Sequence, residues 1–341
     1  MTVALHSVRP HRAGLAPAVL LGGLALATLL LAAASVAIGY APLDLKAAIA
    51  DVLAGRESLG RLVLMELRVP RAVLGVLVGF SLGLTGAAMQ GLLRNPLADP
   101  GVIGVSAAAA FGAVTVFYSG LAGLMPLALP LGGIAGALGA TVLVYGLAGR
   151  GTGTMGLVLA GVALSSLCGA LTALVLNLSP NPYAAMEIVT WLMGSLADRS
   201  LDHVLLALPL MGIGWGLMLS AAPALDALTL GEDTAESLGF PLARIRLKLI
   251  AGAALAVGSS VAVAGAIGFV GLVVPHLIRP FVGHRPGRLM LASGFGGAIL
   301  TLLADIAVRV IHIQPELKLG VVTALLGAPF LFALIWRFRR D

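Results

Sequence analysis

The sequence predicts an all-α, polytopic membrane protein of about ten transmembrane helices. Three observations carry this. The 341 residues are 59% apolar and only 11% charged, with mean hydropathy +1.05, where a soluble chain is nearer a quarter charged. The charges are clustered, leaving charge-free intervals at 13–43, 72–93, 100–149, 151–186, 204–225, 249–278, 289–304 and 319–336, and a bilayer core needs about 20 apolar residues per helix. The apolar/polar alternation of a membrane barrel is absent. The whole of 1–341 reads as one transmembrane domain.

The first interval resembles a secretory leader, since Arg9, His11 and Arg12 precede it and Ala32-Ala33-Ala34 lies within it. Its 28 uncharged residues from Ala13 to Tyr40 exceed the roughly 7–15 of a leader core, so it is read as a retained first span. The 50-residue interval 100–149 must hold two spans, with the turn between Gly120 and Pro130. Interval 249–278 holds one span and the start of a short second one, broken near Gly265–Gly271. The spans centre near 27, 82, 110, 136, 166, 212, 257, 275, 299 and 327. Ten spans put both ends on one side. If that side is cytoplasmic, 13 Lys and Arg lie inside and 8 outside, as the positive-inside rule favours. The net charge of +6 is then loop decoration rather than a nucleic-acid surface.

Glycines 75, 79 and 83 fall on one helix face, and Gly132 and Gly136 repeat the spacing, a pattern that lets membrane helices approach closely. A faint repeat relates Gly86, Ala87, Leu93, Pro96 and Gly104 to Gly265, Ala266, Leu272, Pro275 and Gly283 at an offset of 179. That offset spans five helices, so a true repeat would be inverted in the membrane.

Catalytic constellations are missing. There is no phosphate-binding Gly-x-x-x-x-Gly-Lys-Ser/Thr loop and no His-Glu-x-x-His; the glycine-rich stretch Gly149–Gly156 lacks the lysine. The single Cys168 reads as a small core residue and His276 as a packed one. Glu66, Glu187, Asp305 and Glu316 all fall near outer helix ends, leaving no mid-membrane acid for ion coupling. This argues against an ion-coupled secondary carrier and for an external energy source.

The longest inner polar insertion runs from Pro223 to Lys248. Gly231-Glu232-Asp233-Thr234 opens a short helix with acids in its first turn, and Leu238-Gly239 with Pro241 ends it. This is either a solvated loop or a rigid knob for a soluble partner. Arg68 and Arg71 share a face at the outer mouth of the second span, and Arg309 ends the ninth. They are either lipid-phosphate anchors or contacts for an acidic partner, which arginine's forked donors suit.

Arg68-Val-Pro-Arg71, Gly86-Ala-Ala-Met-Gln90, Asn95-Pro-Leu-Ala-Asp-Pro-Gly101, Leu230-Gly-Glu232 with Leu238-Gly239, Gly265-Ala-Ile-Gly-Phe-Val-Gly-Leu-Val-Val-Pro-His276, Ala304-Asp305 with Arg309, and Gly320 to Phe330 occur in order. Together they resemble the FecCD-type permeases, the membrane subunits of ABC importers for iron-siderophores, haem or vitamin B12. The resemblance runs from about Ala41 to Trp336. It implies a type II importer fold like the vitamin B12 importer permease, placed in the bacterial inner membrane with both termini cytoplasmic. A homodimer would work with a cytoplasmic ATPase dimer, which binds ATP and Mg, and with a periplasmic or lipoprotein binding protein; this chain would hold no cofactor and no metal. Segment 223–246 would couple to the ATPase through Leu230, Gly231, Glu232, Asp233, Ala235, Glu236, Leu238 and Gly239. Arg68, Arg71 and Arg309 would dock the binding protein. Spans five and ten would line the path, with Ser165, Ser166, Asn177 and Met193 as candidate lining. Ferric siderophore is the expected cargo, with haem or cobalamin as alternatives. Val69 and Lys318 depart from the usual residues; Lys318 lies near the outer mouth, where lipid, solvent or an anionic cargo could meet it.

Overall fold

The computed structural model describes residues 17–40, 42–125, 127–148, 154–179, 182–283, 285–311, 313 and 315–338. The basic cluster Arg9, His11 and Arg12, and most of the Gly149–Gly156 stretch, lie outside them. Among the described residues every regular element is helical. In order these are α1 (Pro17–Ala37), α2 (Leu45–Leu53), α3 (Leu59–Leu62), α4 (Val69–Leu93), α5 (Val105–Tyr118), α6 (Ala128–Ala148), α7 (Thr154–Asn177) and α8 (Pro182–Leu192). There follow α9 (Leu201–Ser220), α10 (Ala222–Leu228), α11 (Glu232–Ser237), α12 (Leu242–Ala264), α13 (Val270–Val282), α14 (Pro286–Val310) and α15 (Leu319–Phe338). Among the described residues, seven helical stretches are long and apolar enough to cross a bilayer, and three shorter apolar ones occur at α5, α13 and α15. All ten expected centres fall inside these helices.

α4, α12 and α14 form the interior. α4 packs most extensively on α14, and the glycine face explains how. A Cβ on Gly79 or Gly83 would run into the backbone of Gly297, Ala298 or Ser293, and one on Gly297 would meet Gly79. α5 and α6 repeat the device where Gly136 faces Ala108 and Gly112. Lipid tails provide no hydrophobic drive between helices, so this backbone proximity, with its dispersion contacts, is what holds the pairs. Trp215 of α9 adds polar and aromatic pins: its indole donates to Ser81 Oγ at 2.9 Å, and its ring meets Phe80 edge-on, centroids 4.8 Å apart. On the periphery, Leu26, Leu29 and Leu30 of α1, Val142 and Leu147 of α6, and Leu159 and Leu167 of α7 are exposed. Such a surface would aggregate in water and is solvated by lipid.

Three features were not anticipated. α4 is preceded by a π-helical turn, Val63–Arg68, in which Val69 N–H reaches back to Leu64 O; this lets the helix run through Pro70, which has no N–H to give. α2 and α8 are additional short helices between spans. And the Asn95–Gly101 breaker does more than end α4. The chain turns back so that Pro100 abuts Gly271, and Asp99 shares a cavity of about 120 Å3 with Leu82, Ser106 and Gly268. Leu82 is about three helical turns inside the end of α4, so an acid does enter the bundle where none was expected. The repeat is also not carried by its residue offset, because Gly86 lies inside α4 whereas Gly265 caps α12. What recurs is a long helix, a break and a helix of 14 or 13 residues, at α4–α5 and α12–α13.

Candidate functional site

α4 and α14 run antiparallel through the middle, and the predicted outer and inner residues gather at their opposite ends, about 37 Å apart along 25 residues of α4.

At the first end the three arginines lie in one network. Arg68 is 7% exposed and donates through Nη1 to Ala37 O at 2.8 Å and Val36 O at 3.1 Å. Arg309 is 3% exposed. It donates to Ser35 O and Ser35 Oγ, both at 2.7 Å, and to Ile38 O. The two side chains therefore satisfy the last carbonyls of α1, which helix geometry leaves without partners, and add positive charge at a helix C-terminus. Arg71 engages two acids. Its Nε and Nη2 reach Asp305 Oδ1 at 2.9 and 2.8 Å, and Nη1 and Nη2 contact the Glu316 carboxylate. Asp305, fully enclosed, also accepts from Arg309 Nη2 at 2.8 Å. Tyr40 closes one side by donating to Val308 O at 3.1 Å; burial and then the Glu316 charge push its phenol above the usual range. A cavity of about 250 Å3 opens beside the network, lined by Tyr40, Arg68, Arg71, Asp198, Arg309 and Glu316. The sequence placed Asp305 and Glu316 near this mouth, and the structure joins them to Arg71; Ser35 was missed, and a serine in an apolar span gives no sequence signal.

At the other end lies the segment singled out as a knob. α11 begins at Glu232 after Gly231 at φ 112, and closes with Gly239 at φ 87. Both glycines hold backbone that side chains disfavour. Glu232 is anchored by Arg246 Nη2 at 2.9 Å and by the Thr154 hydroxyl at 3.1 Å. Burial alone would raise the Glu232 carboxyl, but Arg246, Thr154 and Arg94 outweigh it and hold it below the usual carboxylate range. Asp226 Oδ1 accepts from Gly287 N at 2.8 Å, fixing α10 to the start of α14. Ala235 is buried on the inner face of α11, while Leu230 and Leu238 project outward, 67% and 60% exposed. The solvated-loop alternative does not describe this: it is a braced helix with an apolar rim.

The four path candidates are dispersed. Ser165 turns inward, its hydroxyl 3.4 Å from Gly101 O. Ser166 and Asn177 lie on exposed faces of α7. Met193 lines an apolar groove with Ala266, Gly320, Ala324 and Phe332 along α15. His276 packs against Phe330 of α15, ring centroids 5.6 Å apart, and Cys168 is buried in α7, as expected of both. No cluster of potential metal ligands occurs among the described residues.

Among the described residues, ten apolar helices around a tight α4–α14 core, with a braced surface helix at one end and an arginine–carboxylate network at the other, define a polytopic membrane protein. The chain belongs to the FecCD transport family, whose pattern matches residues 25–337. It is 38% identical over 309 residues to the Fe(3+) dicitrate transport system permease protein FecD of Escherichia coli K12, covering 89% of this chain and 94% of that one. It is 37% identical over 287 residues to the hemin transport system permease protein HmuU of Yersinia pestis, covering 81% and 84%. A solved chain described as a metal-chelate type ABC transporter in an inward-facing conformation superposes with TM-score 0.82 at 30% identity, covering 94% of this chain and 99% of that one.

Proposed function

We propose that this chain is the permease subunit of an ABC importer that moves a ferric siderophore across the bacterial inner membrane by alternating access. Two copies would assemble with a cytoplasmic ATPase dimer, which binds and hydrolyses ATP with Mg, and with a substrate-binding protein outside. Both termini would be cytoplasmic. Haem and cobalamin are the alternative cargoes, because relatives named for hemin, for ferric dicitrate and for vitamin B12 are similar to this chain to nearly the same degree. The Asp99 cavity is a feature that an ion-coupled carrier could use, and the family assignment outweighs it.

The observation that carries this reading is the build of α10–α11. Leu230, Gly231, Glu232, Asp233, Ala235, Glu236, Leu238 and Gly239 make a short, braced, amphipathic knob. Force applied there passes directly to α14 through Asp226 and to α7 and α12 through Thr154 and Arg246. The outer network supports docking by Arg68, Arg71 and Arg309 in a particular form. Arg71 already holds Glu316, the more exposed of its two acids, so an acidic partner would exchange with Glu316 rather than meet a free guanidinium. The α15 groove beside Met193 supports a path or dimer seam along α15.

Uptake by proteoliposomes containing this chain, its ATPase and its binding protein tests the reading, with ferric siderophore, haem and cobalamin offered separately with and without internal ATP. ATP-dependent accumulation of ferric siderophore is expected. Accumulation of another cargo would correct the substrate, and accumulation driven by an ion gradient without ATP would overturn the importer.

A further inference from the structure

The knob also forms one wall of a cavity of about 410 Å3, enclosed by Gln90 and Arg94 of the α4 end, Asn95, Thr229 to Gly231, Arg279 of α13 and the start of α14. Its lining contains two arginines and no carboxylate. The acids nearby are engaged elsewhere, Glu232 with Arg246 and Thr154, and Asp226 with the Gly287 amide. Arg279 is partly buried, and its Nε is sealed from solvent with no hydrogen-bond partner. Its Nη2 donates to Gln90 Oε1 at 2.5 Å. Gln90 in turn is fixed by donating to the Gly271 and Leu272 carbonyls at 3.5 and 3.4 Å, so it orients the guanidinium without neutralising it. Arg94 caps α4 in the left-handed region, φ 48, a position that favours glycine and costs an ordinary residue about 1–2 kcal/mol. The helix dipole explains a positive charge at the ends of α4 and α13. It does not explain an unsatisfied Nε beside a cavity.

We propose that this cavity is an oxyanion site in which Arg94 and Arg279, assisted by the Asn95 side-chain amide, hold a phosphate group. Two guanidinium groups from separate elements suit an anion with several acceptor oxygens better than a single carboxylate. The phosphate could be a soluble one or a lipid headgroup. Because Thr229–Gly231 form a wall, occupancy would tie the knob to the ends of α4 and α13. The site itself stands independently of the importer reading.

The test uses the purified chain in maltoside detergent, with unfolding on heating followed by a thiol-reactive dye at the buried Cys168. Inorganic phosphate is titrated against chloride at matched ionic strength; separately, phosphatidylglycerol is compared with diacylglycerol, which lacks the phosphate. A saturable rise in Tm with inorganic phosphate is expected, its half-point moved about tenfold or more by Arg94→Gln and by Arg279→Gln. Arg285→Gln, an exposed cation outside the lining, should leave it unmoved. A rise with phosphatidylglycerol alone, lost in the same two variants, would support the site and name a lipid headgroup as its occupant. Arg94 is exposed, so its variant remains informative if Arg279→Gln does not fold. No phosphate-dependent rise of either kind, or a rise that survives both variants, would overturn the proposal. So would variants that respond like wild type to phosphate but lose the partner ATPase, since the arginines would then receive an acidic side chain.

Discussion

Replacing Asp305 by Asn should cost this protein about 3 kcal/mol of stability, the lower end of the roughly 3–5 kcal/mol expected when one member of a buried ion pair is removed. Asp305 is 1% exposed and sits between two guanidinium groups, each bonded to it at 2.8 Å. Asparagine keeps the shape and one acceptor oxygen but removes the charge of the carboxylate to which both arginines are bonded. The low end applies because neither arginine is stranded: Arg71 keeps Glu316, and Arg309 keeps the Ser35 and Ile38 carbonyls. Reversible unfolding in mixed maltoside–dodecyl sulfate micelles, read by reactivity of the buried Cys168, gives the number. The double variant Asp305→Asn with Arg309→Gln should be less damaging than the two single losses added, by about 1–3 kcal/mol, because the second change removes the excess charge created by the first. A single-variant loss below about 1 kcal/mol, or strict additivity, would show that the network is solvated and that its geometry does not carry the energy assigned to it.

Gly83→Ala should destabilise by about 1–3 kcal/mol through overpacking, because its new methyl meets the Ser293 carbonyl. Gly169→Ala on α7, which has open space, should be neutral or slightly stabilising; equal effects on Tm would contradict the close α4–α14 contact. Glu316→Gln should strengthen capture of the binding protein severalfold in a pull-down, by releasing Arg71 for partner carboxylates, and Arg71→Glu should abolish it; unchanged capture in both would remove Arg71 from docking. Glu232→Gln should lower ATP-coupled uptake while leaving ATPase turnover in detergent intact. The Glu232 carboxyl is held below its unfolded value, so its contribution is complete above the usual carboxylate pKa of about 4.3 and is lost only as pH falls through the lower folded value. Hydrogen-exchange protection of 232–239 should therefore be flat from pH 8 down to about 5, and a decline starting near pH 7 would count against the Arg246 contact.

The parts legible in the sequence are those set by local composition. Apolar runs fixed ten helix positions, because a chain segment in lipid must satisfy its own backbone. The Gly75–Gly79–Gly83 spacing foretold that α4 would approach a neighbour closely, because a helix face is a matter of local periodicity, but not that the neighbour is α14. Gly231 and Gly239 bounded α11 correctly, because backbone turned to positive φ favours glycine whatever surrounds it. The parts that were not legible depend on which distant residues meet. Arg68, Arg71 and Arg309 were singled out as outward-facing, yet they turn inward onto Ser35, Val36, Asp305 and Glu316, up to 274 positions away. Nothing local distinguishes a guanidinium that faces water from one that closes another helix. The Asn95–Gly101 breaker has the same ambiguity: Pro and Gly announce that α4 ends, but only Gly271, with no side chain to block Pro100, lets the chain turn back and carry Asp99 inside. The two ends of the molecule therefore differ in kind. At the arginine end Arg71 and Arg309 are paired with Asp305 and Glu316, and Arg68 with the α1 carbonyls, so an acidic partner would exchange with Glu316. At the knob end Arg94 and Arg279 line a cavity to which no carboxylate contributes. A permease that conveys motion between two soluble partners would need a rigid shaft and exchangeable contacts at its ends; α4 and α14 are packed backbone to backbone and would serve as that shaft between the proposed carboxylate exchange at one end and the proposed anion site at the other.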